Sequence, residues 1–193
     1  MKTAWFFGDS FVYGWGCKDK TNDKDKIMSQ IISEELNCKE KNLAQYGYSN
    51  ENILFSILTN INQIKKGDYV IIFDTHSVRS PFVREDLDFY SNWPELSYFQ
   101  IPKNELDIYY SVRGDLTSKL LSYYQSIFNN LVDFLKSNEI NSYYFPSNDT
   151  WWSFKKIDSN SQEDGGHWSF EGHQKVSEWV INVIYNKEKK PLI

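Results

Sequence analysis

The feature of this sequence that most constrains its fold is a run of five large apolar residues, Tyr69 to Phe73. A strand that is apolar at every position, rather than at every second one, is typical of a parallel sheet covered on both faces. Similar runs predict a first strand at Thr3 to Phe7 and a later one at Ile140 to Phe145. Because parallel strands need helices to connect and cover them, these runs predict an α/β fold.

Apolar residues recur at helical spacing in the segments between and after these strands. We predict four helices and one further short strand: Lys26 to Asn37, Asn50 (as the cap) to Ile64, Gly114 to Asn138 and Phe170 to Asn186, with the strand at Lys41 to Ala44. This alternation of strands and helices predicts a three-layer α/β/α sandwich with a mostly parallel sheet.

The 193 residues fit one domain of ordinary size, which we expect to span residues 1–193. Residues from about Asp74 to Val112 hold three prolines and many aromatic side chains, and we predict a long irregular loop there. That loop is either a wall of a binding site or a patch that packs back onto the sheet. We also expect loop structure from Phe11 to Asp25 and a short fifth strand near Trp152 to Ile157.

The charge and hydropathy patterns exclude several classes of protein. The net charge is −5, and no Lys/Arg-rich run precedes the tail at Lys187, Lys189 and Lys190, which argues against a nucleic-acid partner. No apolar stretch is long enough to span a membrane or to form the core of a signal peptide. We therefore expect a cytoplasmic protein, without membrane insertion, whose two cysteines are reduced. The oligomeric state stays open.

Common cofactor and metal motifs are missing from the sequence. There is no phosphate-binding G-x-x-x-x-G-K-[ST], no dinucleotide-binding G-x-G-x-x-G and no C-x-x-C pair. The serine motif G-x-S-x-G of α/β-hydrolases is also missing. We therefore expect chemistry carried by side chains alone, with neither cofactor nor metal.

Ser10 is a candidate nucleophile because it follows the first predicted strand, and open α/β sheets bind their ligands at the carboxyl ends of strands. A hydroxyl nucleophile needs a base with a pKa near neutrality, which histidine provides. His167 has a carboxylate, Asp164, three residues before it, so one short loop carries both groups. Such a carboxylate can accept the Nδ1–H of the imidazole and leave Nε2 free for a serine. The alternative is an ordinary polar contact between the two side chains.

Three segments together resemble the SGNH, or GDSL-type, hydrolase family. They are Phe7-Gly8-Asp9-Ser10 after the first strand, Gly47 after the second, and Asp164-Gly165-Gly166-His167-Trp168-Ser169 before the last helix. Their order and spacing suit the family along nearly the whole chain. The resemblance implies a flavodoxin-like sandwich and metal-free ester hydrolysis. It also implies Ser10 as nucleophile, His167 as base, Asp164 as its orienting carboxylate, and the backbone N–H groups of Ser10 and Gly47 as oxyanion donors.

The segment after the third strand departs from the family pattern. Where the family usually has Gly-x-Asn-Asp, whose Asn is a further oxyanion donor, this chain reads Asp74-Thr75-His76-Ser77. An imidazole N–H can also donate a hydrogen bond, so we expect His76 to replace that Asn; a structural histidine is the alternative. Arg79 follows closely and is a candidate for binding an anionic group of the substrate, with a solvated loop arginine as the alternative.

Three other side chains near these motifs have expected roles. Trp168 follows the proposed base, and we expect it to line the substrate site and help exclude water. We expect Asp9 to organise its loop and His173 to pack or cap locally. A metal site built from Asp164, His167 and His173 is conceivable, but nothing in their spacing demands one.

The function predicted from these features is hydrolysis of a small ester through a Ser-His-Asp triad and an acyl-serine intermediate. A carbohydrate O-acetyl group is one candidate substrate, suggested by the aromatic content and by some members of the family. A thioester and a lysophospholipid are alternatives. A rival function on the same fold is a ligand-binding protein with weakened or lost catalysis, which the changed segment at His76 suggests.

Overall fold

The computed structural model describes residues 1–75, 80–84, 87–92, 121–146 and 167–185. Within these residues lie six strands: β1 Thr3–Phe7, β2 Lys39–Asn42, β3 Tyr69–Phe73, β4 Ser80–Arg84, β5 Leu87–Asn92 and β6 Asn141–Phe145. Five α-helices accompany them: α1 Ser10–Tyr13, α2 Met28–Glu35, α3 Asn50–Asn60, α4 residues 121–137 and α5 Phe170–Ile184. None of these described helices has the length and hydropathy that crossing a bilayer requires.

Four strands form one sheet in the order β2-β1-β3-β6, and every neighbouring pair is parallel. In the centre of the sheet Phe6 pairs with Ile71, which in turn pairs with Tyr143. The predicted parallel α/β architecture is therefore confirmed. Because the strands are parallel, the residues that follow β1, β2 and β3 all lie along the same edge of the sheet.

Alternate residues of the central strands feed two separate cores. One core joins Phe6 and Ile71 to side chains of α1, α2 and α5, among them Val12, Ile32 and Val180. The opposite core joins Phe7 and Ile72 to side chains of α3 and α4, among them Ile53, Ile57 and Phe128. Helices thus cover both faces, which gives the three predicted layers and explains why β1 and β3 are apolar at consecutive positions.

Two parts of the chain predicted as loop contain regular structure. Within the predicted irregular loop at 74–112, β4 and β5 pair antiparallel, with Ser80 opposite Asn92 and Arg84 opposite Leu87. The prediction of irregular structure is therefore wrong for these residues, whose aromatic residues and Val83 favour strands. Helix α1 lies in a second predicted loop. It is four residues long, too short for a helical period to appear in the sequence.

The ends of several elements differ from the prediction by a few residues. Strand β2 begins two residues earlier than expected, because polar side chains on this edge strand hide its limits. Helix α3 is capped by Ser49 rather than Asn50: the Ser49 hydroxyl accepts the N–H of Asn52 at 3.3 Å. The predicted fifth strand at Trp152–Ile157 and the predicted start of the third helix lie outside the described residues.

Candidate active site

Ser10 is the first residue of α1 and lies directly beyond the carboxyl end of β1. The chain can turn this tightly because residue 8 is glycine: a Cβ there would lie 2.5 Å from Cγ2 of Val12. Gly14, with φ of 82°, ends the short helix in the left-handed conformation that glycine adopts without strain. The serine itself is fully buried.

Asp9 fixes the backbone that presents Ser10. Its Oδ1 accepts the N–H of Phe11 at 3.0 Å, and its Oδ2 accepts the hydroxyl of Thr75 at 2.7 Å. The carboxylate is completely buried, so these hydrogen bonds replace its lost hydration. Asp9 therefore caps α1 and joins the end of β1 to the end of β3, which is the loop-organising role predicted for it.

Asn50 extends this network to α3. Its Oδ1 accepts the N–H of Thr75 at 2.8 Å, and its Nδ2 donates to the Thr75 carbonyl at 3.2 Å. Asp9, Thr75 and Asn50 are all buried and together connect three segments at one edge of the sheet. Sequence reasoning missed this arrangement, since Asn50 was expected to cap its own helix. Its position just after a serine cap was the available signal.

His167 lies beside Ser10, as expected for a serine nucleophile and its base. Its Nε2 is 2.8 Å from Oγ of Ser10, a hydrogen bond between residues 157 positions apart in the chain. The imidazole packs on the ring of Phe11, with ring centroids 4.8 Å apart. The next residue is held as well, because the thiol of Cys17 donates to the Trp168 carbonyl at 3.5 Å. A nucleophile and a base are therefore in hydrogen-bonding contact.

Gly47 lies in the turn between β2 and α3. Its φ of 77° is in the left-handed region that favours glycine. The N–H of Gln45 donates to the Gly8 carbonyl at 3.4 Å, which attaches this turn to the loop of Ser10. Neither the N–H of Ser10 nor that of Gly47 donates a hydrogen bond to another described residue. Both groups are thus able to serve as donors to a ligand.

Trp168 is a core residue rather than a wall of an open cleft. Only 2% of its surface is exposed, and its ring packs edge-on against Phe11 and His173. Because so little of Trp168 is exposed, the side chain has almost no surface with which to contact a substrate directly. The sequence shows that Trp168 follows His167, but it does not show in which direction the Trp168 ring points. The other predicted site residues, Asp164, His76 and Arg79, lie outside the described residues.

His173 holds α5 against α2. It is buried, and its Nδ1 accepts the N–H of Met28 at 3.3 Å. Burial, together with a smaller contribution from the nearby His167, lowers the pKa of His173 to about 3, so the ring is neutral at pH 7. The local packing role predicted for it agrees with this contact. Among the described residues, no group of three His, Cys, Asp or Glu side chains is arranged to hold a metal ion.

The chain is similar in structure to two lipolytic proteins. One is a lipolytic protein of the G-D-S-L family from Desulfitobacterium hafniense DCB-2, with a TM-score of 0.53, 15% identity, and coverage of 95% of this chain and 99% of that one. The other is the lipase Lip_vut3 from a goat rumen metagenome, with a TM-score of 0.50, 15% identity, and coverage of 94% and 96%. Known protein families and curated proteins give no match to the sequence. At this identity the likeness shows that the fold is shared, and nothing beyond the fold.

Proposed function

We propose that this protein is an SGNH-type serine hydrolase that cleaves a small ester through Ser10, His167 and Asp164. The observation that carries the proposal is the 2.8 Å contact between Oγ of Ser10 and Nε2 of His167. A buried serine beside an imidazole is the minimal arrangement for nucleophilic catalysis. The GDSL-type fold supports the same class of reaction, although fold alone does not determine activity.

In the proposed reaction Nε2 of His167 takes the hydroxyl proton of Ser10 while Oγ attacks the ester carbonyl carbon. The tetrahedral intermediate then expels the alcohol, which receives the proton from the imidazolium, and an acyl-serine remains. Water repeats the same two steps, with His167 again as base and then acid, and releases the carboxylic acid. Because one imidazole serves both half-reactions, it must keep its place beside Oγ throughout.

We assign Asp164 to orienting that imidazole. For Nε2 to accept a proton, Nδ1 must carry one, and a carboxylate acceptor at Nδ1 fixes this tautomer. Asp164 precedes the base by three residues, so a single turn is enough to bring the groups together. The assignment predicts that Asp164→Asn lowers kcat by several orders of magnitude.

The proposed oxyanion donors are the N–H groups of Ser10 and Gly47 and the side chain of His76. The two backbone groups are supported by their lack of a hydrogen-bond partner among the described residues. His76 follows Thr75, whose backbone N–H and carbonyl are both held by Asn50. Loss of one such donor typically lowers kcat about a hundredfold to a thousandfold.

The substrate that we propose is a small ester in which an acetyl group is attached to a carbohydrate. Arg79 is assigned to any anionic group that the alcohol carries. We further propose that residues 1–193 form one domain and that its binding partner is a small molecule.

The test compares hydrolysis of p-nitrophenyl acetate by the wild type, Ser10→Ala and Ser142→Ala. Ser142 is a matched control because it is also fully buried and its hydroxyl donates to a backbone carbonyl, that of Val132, at 2.9 Å. We expect activity to vanish in Ser10→Ala and to persist in Ser142→Ala. A fluorophosphonate probe should label the wild type at Ser10.

Hydrolysis that survives Ser10→Ala would overturn the assignment of the nucleophile. A wild type that neither hydrolyses esters nor reacts with the probe would favour the rival function, a ligand-binding protein on this fold.

A further inference from the structure

Trp15 and Tyr46 form an exposed aromatic stack. Their ring centroids are 4.4 Å apart, and the planes are inclined by only 29°. The two residues nevertheless keep 41% and 50% of their surfaces exposed. Isolated apolar side chains on a surface are ordinary, but here each ring covers one face of the other, which fixes the orientation of the pair and leaves a flat outer ring face available to a ligand.

The backbone places this stack beside the proposed nucleophile. The N–H of Trp15 donates to the carbonyl of Ser10 at 3.0 Å, so the tryptophan closes the turn that begins at the serine. Tyr46 immediately precedes Gly47, and the N–H of its neighbour Gln45 bonds to Gly8. The two rings therefore come from the same two loops that carry Ser10 and the Gly47 N–H.

We propose that Trp15 and Tyr46 are a platform for the alcohol half of the ester, and that this half is a sugar ring. The inference rests on the proposed function and specifies which residues select its substrate. A sugar ring has an apolar face of C–H groups and a rim of hydroxyls. Its face can lie on the aromatic stack while its hydroxyls stay in water, which suits a surface that is only half covered.

The geometry favours a sugar over a long acyl chain. An acyl chain gains free energy from removal of its whole circumference from water, which needs a groove rather than a flat surface. On this stack one side of the chain would stay in water. A flat, half-exposed platform therefore recognises the ring of the alcohol and places no demand on the length of the acid.

Binding is measured first, in a background that cannot turn over. The protein is Ser10→Ala, and the probe is methyl glucopyranoside with one O-acetyl group, followed by ligand-observed NMR and calorimetry. Adding Trp15→Ala or Tyr46→Ala should raise Kd about tenfold, the size of effect expected for loss of one aromatic contact. Adding Phe134→Ala, which removes an aromatic residue that is 55% exposed on α4, should leave Kd unchanged.

Hydrolysis is measured next, in the Ser10 background, with two acetate esters. We expect Trp15→Ala and Tyr46→Ala to lower kcat/KM for the acetylated sugar about tenfold, mainly through KM, and to leave kcat/KM for ethyl acetate within twofold. The two esters share the acyl group, so the comparison isolates the alcohol. Circular dichroism and the melting temperature verify that each variant is folded.

The outcomes separate this inference from the proposed function. If the two substitutions change neither Kd nor the ratio of the two esters, or if they lower hydrolysis of a laurate ester more than that of the acetylated sugar, the platform assignment is wrong. If no ester is hydrolysed by the wild type but the acetylated sugar still binds through Trp15 and Tyr46, the platform stands and the serine hydrolase proposal falls.

Discussion

The side-chain amide of Asn50 is bonded to both backbone polar groups of Thr75, as acceptor of its N–H at 2.8 Å and as donor to its carbonyl at 3.2 Å. A side chain that pairs in this way replaces the partner that an adjacent strand would supply. It fixes the course of the chain just beyond β3, where the next residue is His76. The same residue pair therefore bears on both stability and the proposed oxyanion site.

The pair of hydrogen bonds from Asn50 to Thr75, called the clamp below, is tested by Asn50→Asp. This substitution keeps the acceptor but removes the donor and adds a buried charge. We expect the free energy of unfolding to fall by about 1–3 kcal/mol and kcat to fall at least tenfold. Urea unfolding and steady-state kinetics at pH 8 measure the two effects. Asn129→Asp is the control, because Asn129 also donates to a backbone carbonyl but lies exposed on α4. Equal effects of the two substitutions would contradict a specific role for Asn50.

The hydroxyl of Thr75 is expected to stabilise the buried carboxylate of Asp9. Thr75→Val keeps the shape of the side chain but removes the hydroxyl that donates to Oδ2 of Asp9. The free energy of unfolding should therefore fall by about 1.5–3 kcal/mol. Thr75→Ser keeps the hydroxyl and should restore most of that loss. Urea unfolding of both variants checks this, and a serine variant as unstable as the valine variant would indicate a packing effect.

Gly8 is expected to be required for the position of Ser10. Gly8→Ala places a Cβ 2.5 Å from Cγ2 and 2.8 Å from Cβ of Val12, so α1 must shift away from β1. Overpacking of this kind costs typically about 1–3 kcal/mol. Because Ser10 is the first residue of α1, the shift should also lengthen its contact with His167 and lower kcat by more than tenfold. Measurement of kcat under conditions where the variant is fully folded separates the two effects; unchanged kcat would contradict the prediction.

His173 should make the protein sensitive to acid. Its folded-state pKa of about 3 lies below its ordinary value of 6.5, so between these values the unfolded chain binds a proton that the folded chain does not. The free energy of unfolding should therefore fall as the pH drops from 6.5 toward 3, by up to about 1.4 kcal/mol per pH unit from this residue.

The variant that tests this origin is His173→Asn, whose side-chain oxygen can still accept the N–H of Met28 but does not titrate. The urea concentration at the unfolding midpoint is measured at several pH values between 4 and 7. A plot of this midpoint against pH should be less steep for the variant than for the wild type. Parallel slopes would assign the acid sensitivity to other groups. At about pH 8 and above the histidine is neutral in both states, so the two proteins should differ there by packing alone.

The sheet was predictable from sequence because burial on both faces leaves a direct mark. Strand β3 and the last four residues of β1 are continuously apolar, which marks them in the sequence. Strand β2 is an edge strand of sequence KEKN, and its predicted start is two residues late. Ser10 and His167 could be singled out from the sequence because hydroxyl and imidazole chemistry depends on residue type; the structure brings the two into contact, and their catalytic roles stay a prediction. Features that depend on three-dimensional neighbours were missed or misjudged. The clamp of Asn50 on Thr75 needs two segments to meet, and the burial of Trp168 depends on the rotamer and packing of one ring.

The 157 positions between Ser10 and His167 also separate them in time during synthesis. A growing chain exposes its serine early, but the imidazole leaves the ribosome only after 157 further residues have been made. Until α5 docks on α2, the hydroxyl has no base and remains an ordinary alcohol. With the proposed chemistry, ester hydrolysis shows that the segments of Ser10 and His167 have both folded. A nascent chain, or one truncated before His167, would hydrolyse no ester.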